Sequence, residues 1–485
     1  MYSYLISMLA LVLGYIFYGK FVQKIFGPDS ERLTPAVAIN DGVDYVPMPV
    51  WKVFMVQFLN IAGTGPIFGA IMGAKFGPSC YLWVVFGCIF AGAVHDYLSG
   101  MVSIRNGGID LPTIVGRYLG KTTRAVMLTF CVVLLVLVGA VFVYSPASIL
   151  GDLLGDGSFN AVMIWVGVII VYYVLATLVP IDKIIGKIYP LFAFALIFMA
   201  IAMMVGLFVK WPVIPEFWQG LGNRGPSVGL NGQSIFPCLC ITVACGAISG
   251  FHATQSTLMA RCLTNEKLGR PVFYGTVIVE GMVALTWAAV ASYFFFDGGA
   301  EEVGSTMSAA APKVVSDVSR AWLGVAGSVL ALLGVVAAPI TSGDTALRSA
   351  RLIIADVFKY DQKPISNRLR IVIPLFAVTA LILWFNIANE DGFNIIWRYF
   401  ALANQALSCF TLWALTSFLV KERGKFAYLI TFIPAVFMTT VCITYISTAK
   451  IGFNLPMGWS GWIAAIVSCA SIALFYSWYC FGRKK

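Results

Sequence analysis

Asn60-Ile61-Ala62-Gly63-Thr64-Gly65-Pro66-Ile67-Phe68-Gly69-Ala70-Ile71-Met72-Gly73 lies inside an apolar run long enough to cross a membrane, yet it is a poor helix. Gly65, Gly69 and Gly73 recur every four residues, so one helix face is nearly bare, and the ordinary use of such a face is close approach of a neighbouring backbone. The run Gly63-Thr64-Gly65-Pro66 also weakens the helix, because glycine is entropically costly and proline lacks a donor. Backbone groups freed at membrane depth are tolerated only where protein buries them or a polar cavity faces them. Taken alone, the ladder reads as a tight helix crossing.

Composition sets the setting. The 485 residues are 60% hydrophobic and 11% charged, with a mean hydropathy of +0.88, whereas soluble domains carry about 25% charged residues. The long unbroken runs exclude a β-barrel and leave an all-α polytopic membrane protein. The net charge of +10 does not point to a nucleic-acid partner, because the positive residues sit in short loops between spans. The eleven cysteines are scattered through apolar runs with no CxxC or Cys/His metal spacing, and read as small buried residues. The start of the chain has no basic leader or cleavage site, so the first run is expected to remain as a membrane helix.

Thirteen spans are expected at 3–23, 53–74, 79–104, 125–146, 159–180, 188–209, 234–258, 271–296, 321–340, 371–389, 395–420, 426–447 and 460–482. With the amino terminus outside, twenty-five Lys and Arg fall on the inner side, ending with Arg483-Lys484-Lys485, against seven outside. This predicts an outer amino terminus and an inner carboxyl terminus.

A second interruption falls in the seventh span, Ala244-Cys245-Gly246-Ala247-Ile248-Ser249-Gly250-Phe251-His252-Ala253-Thr254-Gln255-Ser256. Spans two and seven are five apart, so they run in opposite directions. Two glycine-broken helices at matching positions of antiparallel five-helix halves point to an inverted-repeat secondary transporter. The expected organisation is a first helix and polar loop (1–52), a first repeat (53–233), a second repeat (234–425) and two further spans (426–485). The repeat rests on spacing and hydropathy alone.

Ionisable groups inside spans are costly and therefore informative. Asp96, beside His95, and Glu280 are the candidate proton carriers; His252 titrates in a useful range but equally serves as a plain hydrogen-bond donor. Thr341 and Ser342 end span nine with neutral oxygens suited to Na⁺, unless their hydroxyls simply bond back to the preceding helical turn. Asp344 and Arg348 read as a helical ion pair, and Asn404-Gln405 as polar glue between helices. The substrate is expected at Asn60, Ala62, Gly63, Thr64, Gly65, Gly246, Ser249, Gly250 and His252, where half-helix starts would offer N–H groups to a carboxylate. An enzyme is not expected: the chain has two histidines and lacks HExxH and Walker A motifs. Neither a selectivity filter nor a charged ring suggests a channel.

Four blocks resemble the carbon starvation protein family, CstA. They are Thr34-Pro35-Ala36 with Asn40-Asp41-Gly42-Val43-Asp44-Tyr45-Val46-Pro47, then Ile61-Ala62-Gly63-Thr64-Gly65-Pro66, Gly92-Ala93-Val94-His95-Asp96, and Ile248-Ser249-Gly250-Phe251-His252. Asn265-Glu266, Glu280, Thr341-Ser342-Gly343-Asp344-Thr345 with Arg348, and Ala403-Asn404-Gln405 fit the same pattern. The resemblance implies a bacterial inner-membrane importer of pyruvate or peptides under nutrient limitation, with a LeuT-like core similar to the amino acid–polyamine–organocation transporters. It implies the lipid bilayer and a small substrate as partners, and no cofactor beyond a coupling ion, H⁺ or Na⁺. A nutrient sensor of the same fold, binding without net transport, is the alternative.

Overall fold

The computed structural model describes residues 1–482 except 43, 156–157, 179–180, 363, 390–391 and 425. Val43 of the first polar loop and the terminal Arg483-Lys484-Lys485 therefore lie outside the described residues. The described chain is α-helical. Its helices are α1 (Tyr2–Phe26), α2 (Val50–Ile61), α3 (Gly65–Ala74), α4 (Ser79–Arg105), α5 (Leu111–Leu119), α6 (Lys121–Leu154), α7 (Phe159–Leu178), α8 (Ile181–Lys210), α9 (Ile235–Thr242), α10 (Gly250–Met259), α11 (Glu266–Phe296), α12 (Ala311–Phe358), α13 (Ile365–Ala388), α14 (Gly392–Glu422), α15 (Leu429–Thr448) and α16 (Met457–Cys480).

Among the described residues, ten helices are long and apolar enough to cross a membrane, or eleven when α2 and α3 count as one span bent by 52°. Eleven of the thirteen expected spans have such a counterpart. The expected span at 234–258 is cut into α9 and α10, eight and ten residues long, each too short to cross alone. That at 321–340 lies within the 48-residue α12, several of whose side chains are outside the described set. The other eleven agree with the structure to within several residues at each end.

Both breaks follow from local sequence. The helix α2 starts after Pro49 and ends where Ala62 leaves helical geometry (φ −82°, ψ 47°) ahead of Gly63. The chain resumes at Gly65-Pro66, with proline in the first turn where its missing N–H costs nothing. Between α9 and α10 the chain passes Gly246 at φ +90°, a left-handed conformation that a side chain would strain.

Burial orders the layers. The most apolar window of α11 is 89% buried, against 17% for α16, so α11 is the axis and α16 borders lipid. Around the axis pack α1, α3 and α8, while α6 and α12 form the most extensive helix pair. At the face that carries the basic loops, the short helix α5 is capped by Asp110, whose carboxylate accepts the Thr113 N–H at 2.8 Å. Buried Glu266 ties that face together: it accepts from Arg105 at 3.2 and 3.3 Å and from the Asp29 N–H at 2.8 Å.

Candidate functional site

The glycine ladder packs against the second break. A side chain on Gly65 would overlap the Cys245 side chain, one on Gly69 would come within 2.9 Å of the Thr242 carbonyl, and one on Gly73 would overlap Val243. Reciprocally, a Cβ on Gly246 would lie 2.6 Å from Ala284 of α11 and 3.7 Å from Pro66 of the first break. The two interruptions therefore cross at the centre of the fold. The ladder lacks side chains where Thr242, Val243 and Cys245 pack on it, and Gly246 lacks one where Ala284 does. Glycines of α4 close the crossing from a third side, since a Cβ on Gly87 or Gly92 would collide with Ala247.

The freed carbonyls are taken up by side chains from other spans. The Ser342 hydroxyl, on α12, lies 3.1 Å from the Leu59 carbonyl and 2.9 Å from that of Asn60. The Thr345 hydroxyl reaches the Asn60 side chain at 3.4 Å. Thr341 differs: its hydroxyl bonds the Ala337 and Ala338 carbonyls of its own helix, both at 2.9 Å. Trp83 donates its indole N–H to the Val243 carbonyl at 2.8 Å.

Asn404 and Gln405, read from sequence as helix glue, hold the two ends of the second break. The Asn404 side-chain oxygen accepts the Ser249 hydroxyl at 3.0 Å and the Phe251 N–H at 2.7 Å, so it caps the start of α10. Gln405 donates to the Cys240 carbonyl at 3.0 Å, near the end of α9. Gly250 packs directly on the α14 backbone at Asn404. Asn404 thus satisfies one N–H at the positive end of α10, that of Phe251, while those of Ser249 and Gly250 have no partner among the described residues. At the first break the N–H groups of Gly63 and Thr64 likewise have no partner among the described residues, and neither have the Thr64 hydroxyl and the Asn60 amide nitrogen.

Beneath the crossing lies a chain of titratable groups drawn from three spans. His95 Nδ1 is 2.7 Å from Asp96 Oδ1 on α4, and Asp96 Oδ2 is 3.2 Å from His252 Nδ1 on α10. His252 Nε2 is in turn 3.4 Å from Glu280 Oε1 on α11. All four side chains are at most 1% exposed. Among the described residues, neither ring nitrogen of His252 nor either oxygen of Glu280 finds a well-aligned hydrogen-bond partner. Cys245 completes the cluster: its sulfur, a His252 nitrogen and a Glu280 oxygen lie within 4.8 Å of one another, a thiol–imidazole–carboxylate set of the donor types that suit a transition metal. In sequence alone Cys245 reads as a small apolar residue, and His252 and Glu280 stand as separate candidates. Their shared site was hidden because it joins spans far apart in the chain.

The structure therefore gathers the sequence-derived candidates into two groups. Asn60, Ala62, Gly63, Thr64 and Gly65 stand at the first break with Ser342. Gly246, Ser249, Gly250 and His252 line the second with Asp96 and Glu280. Asp344, two residues after Ser342 on α12, accepts a hydrogen bond from Tyr189 at 2.5 Å. Phe142 walls the first break, since a Cβ on Gly63 would lie 2.9 Å from its ring.

Comparison with known proteins places this geometry. Two crystal structures of a manganese transporter from Eremococcus coleocola share the fold. One, in complex with an aromatic bis-isothiourea substituted compound, superposes with a TM-score of 0.58 at 12% identity over 92% of this chain and 99% of that one. The other, of a mutant, has a TM-score of 0.60 at 11% identity with the same coverage. In sequence, the chain is 44% identical over 331 residues to an uncharacterized membrane protein of Haemophilus influenzae, covering 59% of this chain and 89% of that one. It is 26% identical to the peptide transporter CstA of Bacillus subtilis, covering 90% of this chain and 88% of that one. It is 27% identical to the pyruvate/proton symporter BtsT of Escherichia coli, over 59% of this chain and 48% of the symporter. The family pattern described as carbon starvation protein CstA matches residues 1–164, 154–322 and 297–445. A multi-pass bacterial inner-membrane protein and a transporter rather than an enzyme, this chain belongs to the carbon starvation protein CstA family.

Proposed function

We propose that the protein is a secondary active transporter importing a small carbon source, a pyruvate-like carboxylate or short peptide, by alternating access coupled to H⁺. The observation that carries this reading is His252, held between Asp96 and Glu280 at the crossing of two broken helices. Buried ionisable groups at membrane depth are expensive and mark ion or substrate paths. A neutral imidazole between two carboxylates accepts a proton on one nitrogen while releasing one from the other. A proton on Glu280 would pass to Nε2 as the Nδ1 proton passes to Asp96, with no net change of charge in the cluster.

The substrate carboxylate would sit at the start of α3, where the Gly63 and Thr64 N–H groups are unpartnered and the helix dipole is positive. The opposite half-helix start is capped by Asn404, which argues for the first break as the anion subsite. The proposed organisation is two inverted five-helix repeats, 53–233 and 234–425, in a LeuT-like arrangement, with the amino terminus outside and the basic face cytoplasmic. Rocking of one group of helices against the other at the crossing would open the site to each face in turn.

Na⁺ coupling is the second reading, and Ser342 favours it: a hydroxyl and two freed carbonyls within 3.1 Å form an oxygen set suited to a hard cation. Thr341 supports it less, because its hydroxyl is engaged by its own helix.

Uptake of labelled pyruvate and labelled dialanine into proteoliposomes, with H⁺ and Na⁺ gradients imposed separately, tests the proposal. Accumulation of either compound under the H⁺ gradient alone is expected. Binding of either without accumulation under any gradient would favour the sensor.

A further inference from the structure

On the basic face a cavity of about 550 Å³ opens between Tyr45, Gly108, α5, α12 and Arg261. It adjoins a recess of only about 20 Å³ lined by Thr254 and Thr257 of α10 and Ser349 of α12, and both are lined by Asp110, Arg261 and Leu352. The large cavity falls in the range of small-molecule sites, while the recess holds no more than one water. The cavity therefore heads toward the breaks and is closed short of them: Thr254 follows His252 by two positions, and Ser349 follows Ser342 by two helical turns.

Arg261 is built into this cavity. Its Nε donates to the Gly108 carbonyl at 2.9 Å, and its guanidinium stacks 5.1 Å from the centre of the Tyr45 ring. The Tyr45 hydroxyl donates to the Gly107 and Gly108 carbonyls at 3.3 and 3.4 Å. Gly108, at φ +78°, admits both partners, because a Cβ there would lie 2.7 Å from the Tyr45 ring and 3.1 Å from Arg261 Cγ. The fold thus fixes the arginine by its stem and Nε, while no carboxylate lies within 4.0 Å of it among the described residues. The acids beside it are engaged elsewhere. Asp110 caps α5, Asp356 pairs with Arg124 at 3.0 Å, and Asp361 has an interaction of its own. Inside the recess the Ser349 hydroxyl, 6% exposed, has no hydrogen-bond partner among the described residues.

We propose that Arg261 is a docking group for the carboxylate of a small monocarboxylate or short peptide, a second binding station on the basic face. It rests on the transport reading above and extends it: a carboxylate leaving the breaks is received by a guanidinium fork whose orientation is already set. Transfer between the two stations requires α10 and α12 to part at Thr257 and Ser349.

The test compares Arg261→Gln and Arg261→Lys with the unaltered protein, using labelled pyruvate and labelled dialanine. Half-saturation is measured separately at each face of oriented proteoliposomes, and thermal stabilisation by each probe in detergent. Losing one charge-assisted carboxylate pair is worth roughly ten-fold or more in affinity. Arg261→Gln is expected to raise half-saturation about ten-fold at the basic face only and to reduce the stabilisation, with Arg261→Lys intermediate. An equal shift at both faces, no shift at the basic face, stabilisation unchanged in Arg261→Gln, or no stabilisation of the unaltered protein by either probe would overturn the station. Stabilisation that depends on Arg261 without accumulation of either probe would keep the station and remove the transport reading.

Discussion

The imidazole of His252 lies 3.4 Å from the carboxylate of Glu280, although the two residues come from different spans and stand 28 positions apart. With Asp96 on its other side at 3.2 Å, the ring lies between the two acids, as the proposed proton path requires. In His252→Gln the carboxylates keep a hydrogen-bonding neighbour of similar size that does not titrate. Uptake by the unaltered protein, assayed from about pH 5 to about pH 8, should vary with pH because the transported protons would pass through this ring. The His252→Gln profile should be flat over the same interval. Identical profiles would remove His252 from the proton path.

The Gly65–Cys245 contact predicts a repairable defect. Gly65→Ala forces a methyl group into the Cys245 side chain, and overpacking of this kind costs about 1–3 kcal/mol. The variant should unfold at a lower temperature in detergent, and adding Cys245→Gly should recover most of the loss. Failure of the double variant to recover anything would show that the two breaks do not meet at these residues.

Asn404→Ala removes the acceptor of the Ser249 hydroxyl and the Phe251 N–H, both buried. Leaving a buried donor unpaired costs about 1–3 kcal/mol, so a clear drop in melting temperature is expected. Asn404→Asp, which keeps an oxygen at the helix start, should retain more stability than alanine. A ranking in the opposite order would contradict the capping role.

Ser342 and Thr341 separate two explanations of the same hydroxyl-rich run. Thr341→Ala removes a bond back to its own helix and should change uptake little. Ser342→Ala strips the Leu59 and Asn60 carbonyls of their donor, and should reduce uptake several-fold under either gradient. If Na⁺ is the coupling ion, the Ser342→Ala defect should shrink as Na⁺ is raised; indifference to Na⁺ would assign Ser342 a structural part only.

Much of this was legible in the chain because it is carried by local chemistry. Gly63-Thr64-Gly65-Pro66 and the run around Gly246 announce broken helices, since their cost to a helix is intrinsic to the residues. The ladder was legible as a packing face, but its partner was not: nothing in Gly65, Gly69 and Gly73 names Thr242, Val243 and Cys245. The same limit hid the role of Asn404, because an amide in a span looks alike whether it joins two helices or caps a broken one. The span count failed at 234–258 for an instructive reason. Hydropathy averages over the break, whereas backbone geometry ends one helix at Thr242 and starts another at Gly250. Thr341 and Ser342 are adjacent with similar chemistry, and only their directions around α12 separate them.

Glu280→Gln asks whether the cluster at the crossing couples proton movement to the breaks. Amide for carboxyl keeps shape and most hydrogen bonding but carries no transferable proton. The measurement is the ratio of H⁺-driven accumulation to exchange at equal internal and external substrate, in proteoliposomes of the unaltered and Glu280→Gln proteins. Accumulation is expected to be lost in the variant while exchange persists. Accumulation by Glu280→Gln equal to that of the unaltered protein would contradict that coupling.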